Sequence, residues 1–105
     1  MPNTFPIEPS GAKPWLVEYH EKVWIEDFPP IPNNWRLRIR AVIENRVMVA
    51  PELYGRPLRR PLVGLRKIRV GDYRIVFLIK AKKITVIIIG HRRDVYQRIF
   101  SRLTK

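Results

Sequence analysis

Between Leu65 and Ile79 apolar and basic residues alternate, the pattern of half-buried strands. Gly71-Asp72 interrupts the run. Glycine at the first of two loop positions signals a type II′ hairpin, because that position needs φ > 0. The strands then cover residues 64–70 and 73–79. In that register Val70 faces Tyr73, Arg69 faces Arg74 and Lys67 faces Val76. Opposed residues share a face of the sheet. One face therefore carries Ile68, Val70, Tyr73, Ile75, Phe77 and Ile79, and reads as core. The other carries Lys67, Arg69 and Arg74. Residues 80–83 make a turn, and residues 84–90 form a third strand. This strand is apolar on both faces except at Thr85, so it is expected to be central or covered twice.

The flanking segments follow other periods. Residues 15–19 read as a short strand of aromatic and β-branched type. Residues 20–28 read as a short helix whose apolar pair is Trp24 and Phe28. Pro29, Pro30 and Pro32 end it. Residues 35–47 support two patterns: strict alternation from Trp35 to Arg40, and helical spacing of Trp35, Ile39, Val42, Ile43 and Val47. Asn33 or Asn34 would cap the helix. Residues 53–63 read as a loop, with Gly55, Pro57 and Pro61 as turn formers and Arg56, Arg59 and Arg60 as its charges. A last helix over residues 93–103 carries the stripe Val95, Ile99 and Leu103, with Tyr96 and Phe100 beside it. Residues 1–14 are proline-rich and read as a flexible tail, which leaves residues 15–105 as one domain. Ile68, Val70, Ile75, Phe77 and Ile88 are expected to lie under the two N-terminal helices.

Charge sharpens this picture. The chain has 105 residues and a formal net charge of +12. Residues 1–55 hold six Lys/Arg and seven Asp/Glu, whereas residues 56–105 hold fifteen and two. So basic a half points to nucleic acid, an anionic surface or an acidic protein partner. No cysteine is present, which excludes disulfides and thiolate metal sites and suits a reducing cytosol. No His/Asp/Glu grouping has metal-ligand spacing, and no phosphate-loop or dinucleotide fingerprint occurs. The apolar runs are too short to span a membrane.

The cluster Lys67, Arg69 and Arg74 works against folding, because directly opposed like charges repel. It reads either as an anion site, most naturally for phosphate, or as a solvated basic face. His91 continues the alternation of Ile87 and Ile89, so it could approach the basic face or simply end the strand. His20 reads as structural.

The segments LRKIRVGDYRIVF and IGHRRDVY resemble the RelE/ParE superfamily of toxins, over roughly residues 15–103. The resemblance implies an α+β fold of microbial-ribonuclease-like type: an antiparallel β-sheet packed by two N-terminal helices, with a short C-terminal helix. It makes residues 35–47 helical. RelE-like members are metal-independent endoribonucleases that need no cofactor and cut mRNA in the ribosomal A site. The implied catalytic set is Lys67, Arg69, Arg74, Arg92 and Tyr96. Arg66, His91, Arg93 and Arg98 are expected to contact RNA or ribosome. Tyr96 could equally be a packing residue. The turn between Arg69 and Arg74 and the spacer between Arg92 and Tyr96 are shorter than in the best-known members. The implied partners are the ribosome, mRNA and a small RelB-like antitoxin with an acidic segment. They would meet in the cytoplasm, with toxin and antitoxin forming a hetero-oligomer. Two alternatives stay open: a ParE-like, non-catalytic inhibitor of DNA gyrase, and a decayed toxin that only binds its antitoxin.

Overall fold

The computed structural model describes residues 15–103; the proline-rich stretch 1–14 lies outside them. Five strands form one sheet in the order β1-β5-β4-β3-β2. They are β1 (Leu16–Tyr19), β2 (Arg56–Pro57), β3 (Leu65–Val70), β4 (Tyr73–Lys80) and β5 (Lys83–His91). All neighbours are antiparallel except β1, which pairs parallel with β5. Four helical segments complete the α+β fold. Helix α1 covers residues 21–27 and α2 residues 33–47; α3 is the single turn Pro51–Tyr54 and α4 runs Val95–Leu103.

The hairpin forms in the expected register, with Val70 opposite Tyr73, Arg69 opposite Arg74 and Lys67 opposite Val76. Gly71 has φ +60°, and a Cβ there would lie 2.4 Å from the Trp35 ring. Sterics thus require glycine twice at this turn, once for the backbone and once for the packing. Ile68, Val70, Ile75 and Phe77 are buried on one face, together with Val23 of α1 and Ile39, Ile43 and Val47 of α2.

The opposite face is not simply polar. Leu65, Val76 and Ile88 form a second core there with Val95 and Ile99 of α4. Ile88 therefore lies under the C-terminal helix, not under α1 and α2 as expected. A register shift at Val76/Phe77 sets Val76 opposite Ile88 but Phe77 opposite Val86. Ile87 is the extra residue of this bulge, which lets β5 bury side chains on both faces.

Both N-terminal helices end in a wide turn with i→i+5 bonds, from Phe28 N–H to Val23 O and from Met48 N–H to Ile43 O. These turns keep Val23 and Asp27 inward on α1, and Ile43 and Val47 inward on α2. Trp24 and Phe28 do touch, at 5.2 Å between ring centroids, but Trp24 is exposed. The buried face of α1 is thus the one that carries a carboxylate. Asn33 and Asn34 do not cap α2. Pro32 precedes it, and its carbonyl accepts from the N–H groups of Trp35 and Arg36. In α4 the exposed Leu103 yields its expected place to Arg102.

Arg102 explains how α4 is held. The Asp27 side chain is fully buried and accepts from the Ile89 N–H at 2.9 Å. It also accepts from Arg102 Nη1 at 2.8 Å and Nη2 at 3.0 Å, and from Arg98 Nη2. Arg102 donates further to the Ile87 carbonyl and to Glu26. A forked guanidinium matches a carboxylate in this way, and the extra bonds satisfy what burial would leave unpaired.

Asp27→Ala is expected to strand a buried guanidinium at a cost of about 3–5 kcal/mol. Thermal melting should show a drop of more than about 10 °C. A variant melting with wild type would mean that α4 is held by its apolar contacts alone.

Candidate nucleic-acid interface

Residues 53–63, expected as loop, contain the edge strand β2. It places Arg56 opposite Lys67 and Pro57 opposite Arg66. Arg56, Lys67, Arg69 and Arg74 therefore stand on one face across three adjacent strands. Together with Tyr54 and Ile68 they line a groove of about 290 Å³. Among the described residues none of the four cations has an ion-pair partner, whereas Glu26 and Asp27 of α1 are both paired with cations. Like charges crowded at a sheet edge favour occupation by an anion with several oxygens.

Local contacts fix the geometry. Arg74 Nη1 donates to the carbonyls of Gly71 and Tyr73, both at 3.0 Å, so the side chain bends back onto the turn. Gly55 is buried, and a Cβ there would lie 2.4 Å from Phe77 Cζ, so the close packing requires glycine. Its carbonyl accepts from Arg66 Nη1 at 2.8 Å. The chain leading into β2 is thereby clamped to β3 and β4.

Of the residues expected from sequence, Lys67, Arg69 and Arg74 come together in the groove. Arg92 stands at its turn end: its backbone N–H donates to the Asp72 carbonyl at 2.8 Å, and its Nε lies 3.6 Å from Asp72 Oδ1. Tyr96 reaches the other side, where Lys67 Nζ sits 5.7 Å from its ring centroid. The Tyr96 hydroxyl is buried without a hydrogen-bond partner, and its ring packs on the second core.

The remaining expectations separate from the groove. Arg66 shares the face of Phe77 and clamps Gly55. His91 lies opposite Tyr73, on the face away from the cations, and the two rings meet edge-on at 5.9 Å. It accepts through Nδ1 from the Arg93 N–H, and Arg93 itself is exposed in the turn before α4. Arg98 belongs to the Asp27 cluster. Arg56 and Tyr54 were missed because β2 is two residues long and contains a proline, which hides it from any periodicity. No helix of the described residues is long and apolar enough to cross a membrane.

Known proteins are similar to this chain in sequence and fold. Toxin RelG of Mycobacterium tuberculosis is 42% identical over 50 residues, which cover 46% of this chain and 58% of that protein. The match thus spans less than two thirds of that relative. The RelBE2 toxin–antitoxin complex of the same organism aligns with a TM-score of 0.69 at 24% identity, over 77% of this chain and 94% of the matched one. The RelB–RelE antitoxin–toxin complex of Methanococcus jannaschii gives 0.61 at 25% identity, over 78% and 98%. A doubly substituted RelE toxin of E. coli in its free state gives 0.64 at 18% identity, over 86% and 94%, a likeness of fold. The family model described as the ParE toxin of the type II toxin–antitoxin system parDE matches residues 19–96. These residues are most of the folded chain, with strands β2 to β5, the groove and the start of α4 among them, so the chain belongs to the ParE toxin family of type II toxin–antitoxin systems and is a RelE/ParE superfamily toxin.

Proposed function

We propose that the toxin is a metal-independent endoribonuclease that cuts mRNA in the ribosomal A site. The observation that carries this reading is the unneutralised groove: Arg56, Lys67, Arg69 and Arg74 on one face, with Arg92 and Tyr96 at its two ends. RNA supplies its own nucleophile. Its 2′-OH attacks the adjacent phosphorus, the bond to the 5′-oxygen breaks, and a 2′,3′-cyclic phosphate and a 5′-hydroxyl result. The 2′-OH proton leaves to a base, and a proton reaches the departing oxygen.

Four cations around one phosphate stabilise the additional negative charge of the transition state in an already oriented frame. Arg92, at the turn end, is placed to assist the leaving oxygen. Tyr96 would serve as proton acceptor only after its side chain swings the buried hydroxyl outward.

A second reading, non-catalytic inhibition of DNA gyrase, is favoured by the same buried Tyr96 hydroxyl and by the ParE family match. The antitoxin is proposed to be a small protein whose acidic segment covers the groove and folds upon it.

Arg74→Ala should slow cleavage on the order of 10²–10³-fold, by analogy with loss of one oxyanion donor. Its stability should stay within about 0.5 kcal/mol of wild type, as for other partly exposed substitutions. Arg74→Lys should recover part of the rate, because an ammonium lacks the guanidinium fork. Paired melting curves and ribosome-programmed cleavage assays check this. A folded Arg74→Ala that cuts at the wild-type rate would remove the basis for the nuclease reading.

For the antitoxin, affinity should fall steeply as salt rises from 50 to 300 mM, because the contact is charge-driven. Titration calorimetry across that range would instead show a flat affinity if the interface were mainly apolar.

A further inference from the structure

The groove has one wall that a phosphate does not need. Tyr54 ends the single turn α3 and is 42% exposed. An exposed tyrosine is unremarked on many surfaces, but this one borders Arg56, Lys67, Arg69 and Arg74 directly. The Arg46 guanidinium lies over the ring, 5.7 Å from its centroid. Arg46 is not among the residues that line the groove, so its contact with the ring lies outside the cation cluster.

The backbone beside Tyr54 is held by four contacts. The Tyr54 N–H donates to the Ala50 carbonyl and the Gly55 N–H to the Pro51 carbonyl. The Gly55 carbonyl is gripped by Arg66, and Gly55 itself is pressed on Phe77. An aromatic ring on a held backbone, with a cation over it and a phosphate-sized cluster of cations beside it, has the parts of a single-stranded nucleic-acid subsite. The groove volume, about 290 Å³, is at the lower end of small-ligand sites and has room for one nucleotide.

We propose that Tyr54 is a nucleobase platform, on which one base of single-stranded RNA stacks while its phosphate is held by Arg69 and Arg74. The proposal rests on the RNA reading of the groove and adds a base-contacting residue to it. Stacking tolerates any base, so Tyr54 contributes affinity and positioning and leaves base identity to other contacts. Arg46 acts as a positioning residue over the ring.

The test compares two probes on the purified chain at low salt: a 2′-O-methylated tetra-adenylate, which cannot be cut, and the matching abasic sugar-phosphate oligomer. Wild type should bind the base-bearing probe roughly tenfold or more tighter than the abasic one. Tyr54→Ala should erase that preference, leave abasic binding as it was and melt with wild type. Tyr54→Phe, which keeps the ring, should restore the preference. Arg74→Ala should weaken both probes together. A Tyr54→Ala protein that keeps the full preference overturns the platform while the phosphate site stands. Failure of wild type to bind either probe overturns the RNA reading itself, and the platform with it.

Discussion

One buried carboxylate holds the molecule's two layers together. Asp27 comes from α1, accepts from the backbone of β5 and receives two arginines from α4. Alone it would be too costly to bury; with a forked guanidinium and a backbone donor its oxygens are satisfied. The consequence reaches the site. Helix α4 lies on the cation-bearing face of the sheet, and its first turn carries Tyr96 to within 5.7 Å of Lys67. The N-terminal helices, on the other face, thus help to set the edge of a groove they do not line.

The sheet divides its labour along its width. Its α4 face is apolar where Val76 and Ile88 pack under the helix and basic where β4, β3 and β2 run out beyond it. The bulge at Val76/Phe77 makes this division, because it lets the long central strand β5 serve both cores. At the hairpin tip Gly71 admits Trp35, and Arg74 and Arg92 gather around the same turn. The cations are displayed on hydrogen-bonded strands, which would suit the proposed phosphate site, since a preorganised site meets its ligand without rearranging.

Much of this was legible in the residues. The two-residue turn and the strand period were enough to pair Arg69 with Arg74 and to set Lys67 on their face. What stayed hidden depends on long-range contact. Asp27 and Arg102 are 75 positions apart, and nothing local marks either as buried. Arg102 occupies a helix position that hydropathy assigns to Leu103, since only a partner carboxylate makes an arginine cheap to bury there. His91 fell on the far face because the register between β4 and β5 includes a bulge that sequence does not announce. Strand β2 escaped because two residues carry no period, and with it went Arg56 and Tyr54 from the site.

The central claim is that an unneutralised cation groove on this toxin acts on a phosphodiester of translated RNA. Sequencing of RNA ends after brief induction of the intact toxin tests it most directly, with chemistry that captures 2′,3′-cyclic phosphate and 5′-hydroxyl termini. The account predicts new ends of both kinds, confined to translated reading frames and in phase with codons. Intact messages accompanied by broken or over-wound DNA would contradict it.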